Sequence, residues 1–277
     1  MKSLSPRWFI LAVLMWVLSG CSDSVGSEGM TFTRLHDLSE DKLNAVSSKS
    51  YFFGHQSVGR NMLDGLRMVM EDNPTLKLDI RNSESVSNVA PGAFLHSNVG
   101  KNRFPQTKID QYQSALEGGL GNSVDAAFLK FCYVDLANEN DPVELFQTYK
   151  ASVEALKLKY PETRFVHFTL PLKSVPTGLK VSVKNLIGKE IPQQMDNIKR
   201  AQYNELLREA YVGVDPVFDI ARYESIDPAT GEAFTFKYDG KEYEAMSPGN
   251  TYDGGHLSDK GKRWIAEQLI VFLASLD

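Results

Sequence analysis

Short apolar segments alternate with longer helical patterns along most of this chain. Five segments rich in aromatic and β-branched residues predict buried strands, and they are 50–53, 76–80, 126–134, 164–170 and 216–220. Apolar residues recur at helical spacing in the segments between and after them, which are 61–70, the segment opened by Pro105, 142–158, 197–211 and 257–276. The alternation predicts an α/β fold, a three-layer α/β/α sandwich with a mostly parallel five-stranded sheet. In such sheets ligands bind beyond the carboxyl ends of the strands.

Two segments interrupt this alternation. Residues 172–194 form a long polar connection, and a connection of this size is usually functional or mobile. Residues 234–246 place Asp239-Gly240 between two alternating runs, which predicts a β-hairpin. Both segments precede elements expected at the crevice, so they either line a substrate cleft or decorate the surface.

The N-terminus has the pattern of an export signal. Lys2 and Arg7 precede an apolar run over 8–18 that is too short for a comfortable membrane span. The run ends in Leu-Ser-Gly before Cys21, which resembles the lipobox of bacterial lipoproteins; an ordinary secretory signal with a chance cysteine is the alternative. The resemblance implies lipidation of Cys21 and anchoring in the membrane of the bacterial cell envelope.

This interpretation divides the chain into three parts. Residues 1–20 are the expected signal peptide, 21–45 the lipidated cysteine and a tether, and 46–277 one α/β domain. By resemblance to lipoprotein sorting rules, Ser22 favours the periplasmic face of the outer membrane over the inner membrane.

Cysteine content and charge narrow the function further. Cys21 and Cys132 are the two cysteines of the chain, so lipidation of the first leaves no internal disulfide, and Cys132 is expected to be a buried apolar residue. The formal net charge is −5 and no basic cluster is visible, which argues against nucleic acid as a partner. We expect a monomer whose substrate is neutral or locally recognised.

Ser57 is the first candidate for chemistry. It follows the first predicted strand within Gly-His-Gln-Ser and precedes a helix, so its side chain is expected at the crevice. Its backbone N–H, near the helix N-terminus, could stabilise an oxyanion. The alternative is a structural helix N-cap, a role that serine often fills.

Asp253 and His256 form the second candidate. They lie three residues apart in a glycine-rich turn before the last helix, where a carboxylate can orient a histidine that acts as general base. The alternatives are a capping aspartate and a histidine in a polar turn. A metal site is disfavoured, because two ligands are fewer than the usual three or four.

The Asp-x-x-His-Leu-Ser-x-x-Gly arrangement resembles the last sequence block of the SGNH/GDSL hydrolase family, and the resemblance covers residues 48–277. That family has a flavodoxin-like three-layer fold, a serine after the first strand and an Asp-x-x-His pair before the last helix. The resemblance implies that Ser57 is the nucleophile, His256 the base and Asp253 its orienting partner. It implies no cofactor and no metal.

The sequence departs from the family in the oxyanion hole. The family's first block, Gly-Asp-Ser, is here Gly-His-Gln-Ser, and valine stands at Val134 where its asparagine block is expected. The glycine block is best matched by Gly100, with Gly92 as the competing position. Asn102 or Asn138 could supply the missing amide, and His55 could also donate. The resemblance thus implies an oxyanion hole of Ser57, Gly100 and Asn102.

The sequence therefore predicts a serine esterase that cleaves O-acyl esters through an acyl-enzyme. O-acetylated carbohydrate is the first expectation for the substrate, because of the expected envelope location and the habit of the family. Two alternatives stay open. One is an O-acyltransferase of the same fold acting on envelope glycans, and the other is a non-catalytic lipoprotein that binds a glycan or a protein partner.

Overall fold

A computed structural model describes residues 32–82, 89–136, 140–179, 181 and 189–276. The expected signal peptide, Cys21 and Asn138 lie outside these residues. Within them, no helix has the length and apolar character needed to cross a bilayer.

The centre of the fold is a parallel sheet of six strands. They are β1 (Tyr51–His55), β2 (Asp79–Asn82), β3 (Ala93–Asn98), β4 (Ala126–Leu129), β5 (Arg164–Phe168) and β6 (Val217–Phe218). Their spatial order is β2-β3-β1-β4-β5-β6, and every neighbouring pair is parallel. Because the chain leaves β1 toward one edge and later returns past it to β4, the end of β1 lies at the switch point where such sheets bind ligands.

The expectation of five strands is wrong by one, because β3 was not anticipated. Its sequence, AFLHSN, ends in three polar residues that interrupt an apolar strand pattern. Two of them are buried or paired: Ser97 is buried, and His96 Nδ1 lies 3.1 Å from His55 Nε2. Strand β2 also begins at Asp79, later than expected from the apolar residues 76–80.

Helices cover both faces of this sheet. They are α1 (Glu40–Ser48), α2 (Val58–Asp72), α3 (Pro105–Glu117), α4 (Pro142–Lys159), α5 (Pro192–Tyr211), α6 (Ile220–Ser225) and α7 (Asp259–Leu273). Alternate strand residues point to opposite faces: Phe53 joins the core under α1, α2, α6 and α7, and Phe52 joins the core under α3, α4 and α5. The three-layer α/β/α prediction is confirmed.

Helices α2 and α7 approach each other closely at Gly65. A Cβ atom on Gly65 would lie 2.1 Å from the carbonyl oxygen of Lys262 and 3.0 Å from Cβ of Ala266. A glycine is therefore required for this helix–helix distance. The contact is important for the site, because α2 begins directly after Ser57 and α7 begins shortly after His256.

The expected domain boundary at residue 46 is too late, and the tether expected over 21–45 is wrong for the described part, 32–45. Ser39 caps α1 by accepting a hydrogen bond from the Lys42 N–H, and Leu35, Leu43 and Val46 are buried. The Phe32 ring packs edge-on against Trp264 at 5.5 Å. This segment completes the core against α7, so it belongs to the domain.

The hairpin predicted at Asp239-Gly240 is confirmed. Strands β7 (Thr235–Tyr238) and β8 (Lys241–Glu244) pair antiparallel. Asp239 and Gly240 both have positive φ, 47° and 73°, as expected for a tight two-residue turn. The hairpin packs against Val175 of the 172–194 connection through Phe236, so the two interruptions of the sequence pattern lie together.

We predict that Gly65→Ala lowers the free energy of unfolding by about 1–3 kcal/mol, because the methyl group must push α2 away from the backbone of Lys262. In an exposed helix the same change is stabilising. Urea denaturation measures the effect, with Glu71→Ala on the exposed side of α2 as control, expected within about 0.5 kcal/mol of wild type. Unchanged stability of the Gly65 variant would contradict the close helix contact.

Candidate active site

Ser57 lies between β1 and α2 in a backbone conformation that is unusual for a residue with a side chain. Its φ is 39° and its ψ is −96°. Such strain costs on the order of 1–3 kcal/mol and is concentrated at functional sites. The side chain makes no capping hydrogen bond to α2, so the structural N-cap alternative does not describe it. Instead, Ser57 Oγ lies 2.5 Å from Nε2 of His256.

His256 is held from its other side by Asp253. His256 Nδ1 lies 2.6 Å from Asp253 Oδ2, while Asp253 Oδ1 accepts hydrogen bonds from the N–H groups of Gly255 and His256 at 2.9 and 2.7 Å. Burial alone would raise the pKa of the Asp253 carboxyl. The hydrogen bonds from His256 and Gly255 outweigh it and lower that pKa to about 2. Asp253 is therefore an anion at ordinary pH, and its oxygens favour a proton on His256 Nδ1.

The turn that carries His256 is tied to both helices that flank the site. The Leu257 N–H donates to Asn61 Oδ1 of α2 at 3.2 Å, and Ser258 caps α7 by accepting from the Gly261 N–H at 3.2 Å. Thr251 Oγ1 donates to the His256 carbonyl at 2.7 Å. These bonds orient the imidazole before any ligand arrives.

The loop after β3, which contains Gly100, lies beside the residue that precedes Ser57. Gln56 Nε2 donates to the carbonyl oxygens of Val99 and Gly100 at 3.1 and 2.9 Å. The Gly100 N–H, however, donates to Gln111 Oε1 at 2.7 Å. The loop is thus placed near the serine as expected, but the N–H expected to bind an oxyanion has another acceptor in this structure.

Asn102 takes part in a buried ion pair. Its Oδ1 accepts from Lys108 Nζ at 2.9 Å, and the same ammonium lies 2.5 Å from Asp135 Oδ2. The side chains of Lys108 and Asp135 are fully buried. Asp135 also accepts from the N–H groups of Arg103 and Cys132, at 2.9 and 2.7 Å, so it joins the loop after β3 to the loop after β4.

Two other side chains considered from the sequence, those of Cys132 and His55, lie in the interior of the protein. Cys132 is buried, as expected. His55 is also buried, and its Nε2 faces His96 Nδ1 at 3.1 Å. Burial, with a smaller contribution from His96, lowers the pKa of His55 to about 2, so this ring is neutral.

Two tyrosines that the sequence reasoning missed surround His256. Tyr133 packs edge-on against the imidazole at 5.8 Å between ring centroids, and Tyr252 stacks nearly parallel to it at 6.0 Å. Burial and the nearby Asp253 raise the pKa of Tyr133 to about 12, so its hydroxyl keeps its proton. Tyr133 follows β4 and so lies at the edge of the sheet where functional side chains are expected, a signal that could have identified it.

The start of the 172–194 connection contacts the turn that carries Asp253 and His256. The Ser174 N–H donates to the Gly254 carbonyl at 2.9 Å, and Lys173 Nζ lies 5.3 Å from the centroid of the Tyr133 ring. The cleft alternative for this connection is therefore supported for its first residues. Residues 180 and 182–188 lie outside the described part.

No protein-family model and no curated protein matches the sequence. Solved structures with a similar course of the chain include one described as a platelet activating factor from Streptococcus pneumonia, with 16% identity, a TM-score of 0.47, and coverage of 84% of this chain and 90% of the other. Another is a lipolytic protein of the G-D-S-L family from Desulfitobacterium hafniense DCB-2, with 12% identity, a TM-score of 0.43 and coverage of 81% and 99%.

A third similar structure is a peptidoglycan O-acetylesterase, with 15% identity and a TM-score of 0.42. The similarity covers 67% of this chain but 47% of the other protein, so this chain spans about half of that relative's length. Proteins of the SGNH/GDSL family are thus among the solved structures similar to this chain.

The three side chains named from the sequence form one hydrogen-bonded series, Ser57 to His256 to Asp253. A hydroxyl in contact with an imidazole, itself held by a carboxylate, can lose its proton as it attacks an electrophilic carbon. The arrangement is chemically suited to acyl transfer. Among the described residues, no group of three or more histidines, cysteines and acids is placed to hold a metal ion.

We predict that Gly254→Ala destabilises the protein more than Gly213→Ala does. Both glycines have positive φ, 86° and 81°, so alanine strains the backbone at either position by about 1 kcal/mol or more. At Gly213 a Cβ meets nothing within 4 Å, whereas at Gly254 it would lie 2.7 Å from Ser174 Oγ. Urea denaturation of both variants measures the difference.

The Ser174→Ala background provides the control. Removal of the Ser174 hydroxyl should bring the loss of unfolding free energy from Gly254→Ala down to that of Gly213→Ala. If the cost of Gly254→Ala is the same in both backgrounds, the close approach of Ser174 Oγ to Gly254 does not exist as described.

Proposed function

We propose that this protein is a serine esterase of the SGNH/GDSL type that cleaves O-acyl esters. The observation that carries the proposal is the series from Ser57 Oγ to His256 Nε2, at 2.5 Å, and from His256 Nδ1 to Asp253, at 2.6 Å. A serine that caps a helix forms a hydrogen bond to the backbone of that helix. Ser57 forms no such bond, and its hydroxyl instead contacts an imidazole 199 positions away in the chain.

The mechanism follows from these contacts. Ser57 Oγ attacks the ester carbonyl carbon while His256 Nε2 accepts the hydroxyl proton, and the anionic Asp253 stabilises the resulting imidazolium. Collapse of the tetrahedral intermediate releases the alcohol, which takes its proton from His256. Water then attacks the acyl-serine with His256 as base, and the acid leaves.

The oxyanion hole of this proposal has two candidate backbone donors. The Ser57 N–H lies at the N-terminus of α2, where the first N–H groups of a helix lack an intrahelical acceptor. The Gly100 N–H would have to exchange Gln111 Oε1 for the oxyanion when substrate binds. Asn102 is the third candidate, and since its Oδ1 accepts from the buried Lys108, the atom that would donate is Nδ2. Each donor is worth about 10²–10³ in kcat in a well-studied hydrolase.

Because the site is open to solvent, we favour water over a sugar hydroxyl as the acceptor of the acyl group. The side chains of His256 and Asp253 are 29% and 41% exposed, so solvent reaches the base directly. An acyltransferase has to protect its acyl-enzyme from water. We therefore place hydrolysis first, with O-acetylated carbohydrate as the proposed substrate.

We predict that Ser57→Ala abolishes hydrolysis of p-nitrophenyl acetate, lowering kcat by at least about 10³-fold, because the nucleophile is removed. Ser48→Ala, at an exposed serine of α1, is the matched control and should retain wild-type activity. Asp253→Asn should lower kcat by about 10²–10⁴-fold with little change in KM, since it removes the anion behind His256.

Circular dichroism of each variant checks that the fold is intact. Equal rates for wild type and Ser57→Ala would overturn the assignment of the nucleophile. Mass spectrometry of products, with a glycan acceptor added, separates the two acyl-transfer activities: free acetate indicates an esterase, and an acetylated glycan indicates a transferase.

We further propose that the mature protein is attached to the bacterial outer membrane through acyl chains on Cys21. The supporting pattern is the apolar run over 8–18 followed by Leu-Ser-Gly-Cys. Metabolic labelling with an alkyne fatty acid should tag the wild type and leave Cys21→Ala unlabelled. Cys132→Ala, at the buried cysteine, is the control and should label like the wild type. Label on the Cys21 variant would contradict the anchor.

A further inference from the structure

A cation and two aromatic rings lie next to one another beside His256. Tyr252 is 68% exposed and stacks on the imidazole, and Tyr133 packs against the same imidazole edge-on. Lys173 Nζ lies 5.3 Å from the centroid of the Tyr133 ring. The lysine, the two tyrosines and His256 thus form a continuous series of contacts.

The backbone of Lys173 is fixed on both sides. Its N–H donates to Asn197 Oδ1 at 3.1 Å, and its carbonyl accepts from Asn197 Nδ2 at 2.7 Å and from the Met246 N–H at 3.1 Å. The N–H of the next residue, Ser174, donates to the carbonyl of Gly254 in the turn that carries His256. The point from which the Lys173 side chain extends toward His256 is therefore fixed by the fold.

The charge of Lys173 is not balanced within the described residues. Nζ has neither an ion pair nor a hydrogen bond to any of them, and it lies over the face of the Tyr133 ring. A cation–π contact leaves the three ammonium donors without hydrogen-bond acceptors.

The other charges near Tyr133 do not supply the missing partner. Arg200 is buried and donates to the Tyr133 carbonyl at 2.9 Å and to Asn197 at 2.5 Å, with Asp196 at 3.7 Å. Asp253 is occupied by His256 and by the N–H of Gly255. An anion brought by the substrate would complete the ion pair of Lys173.

We propose that Lys173, Tyr133 and Tyr252 form a subsite for a carboxylate-bearing sugar, so that the esterase acts on acylated anionic glycans. Tyr252 offers an exposed face on which a sugar ring can stack, and Lys173 binds the carboxylate of the same or the neighbouring residue. The subsite rests on the proposed esterase function, because it positions the acyl group of that sugar at Ser57.

Binding to the Ser57→Ala variant tests the subsite independently of catalysis. Tetramannuronate and mannotetraose are a matched pair of probes, since the first carries carboxylates where the second carries hydroxymethyl groups. Calorimetry should show tetramannuronate binding at least about tenfold tighter, with an advantage that shrinks as salt increases. Equal affinity for the two probes would overturn the proposal.

Substitution of Lys173 tests which residue provides that preference. Adding Lys173→Met to Ser57→Ala should remove at least about fivefold of the affinity for tetramannuronate, and Lys173→Arg should restore most of it. Lys150→Met, at an exposed lysine of α4, is the matched control and should bind like the parent. Unchanged tetramannuronate affinity in the Lys173→Met variant would also overturn the subsite.

Kinetics with two acetylated polymers connect the subsite to turnover. With Ser57 intact, Lys173→Met should lower the ratio of kcat/KM for O-acetylated alginate over O-acetylated glucomannan by about fivefold or more, chiefly through KM on alginate. Tetramannuronate binding without any ester hydrolysis would count against the esterase and leave the subsite standing. Hydrolysis with no preference for the anionic polymer would count against the subsite and leave the esterase function standing.

Discussion

The close contact between α2 and α7 at Gly65 is the constraint on which the candidate site depends. Because a Cβ atom there would lie 2.1 Å from a carbonyl oxygen of α7, the two helices are as near as backbones allow. Ser57 precedes α2 and His256 precedes α7, so this contact brings two residues from opposite ends of the chain to one place. The Leu257 N–H also donates a hydrogen bond to Asn61 of α2, close to Ser57 and His256 in the chain.

On the other side of Ser57, the buried ion pair of Lys108 and Asp135 holds the neighbouring loops in place. Lys108 and Asp135 are both fully buried, and Asp135 collects N–H groups from the loops after β3 and β4. An ion pair of this kind contributes little net stability, but removal of one partner leaves a costly unpaired charge. The two loops next to the serine are therefore held to each other, and Gln56 holds the first of them to the segment that contains Ser57.

Much of the frame and the three catalytic candidates could be predicted from sequence, because each depends on local patterns. Apolar periodicity marks strands and helices, and Ser57, Asp253 and His256 each lie at the end of such an element. Contacts between distant segments leave no comparable pattern. The pairing of Lys108 with Asp135 and the strand with polar residues at Ala93–Asn98 depend on tertiary packing, so they could not be predicted.

His256 contacts both tyrosines of the proposed subsite, but the Ser57–His256–Asp253 series and the subsite are held in place by different parts of the chain. Asp253 is satisfied inside its own turn, by His256 and Gly255, and the 172–194 connection adds a backbone contact to that turn at Gly254. Lys173 belongs to that connection, and its backbone is held by Asn197 of α5. In the proposed mechanism the acyl-transfer chemistry therefore lies on elements of the central sandwich, and the proposed selection of substrate lies on the 172–194 connection. If the proposed subsite is correct, changes in this connection alter which glycan is bound while Ser57 and His256 remain in hydrogen-bond contact.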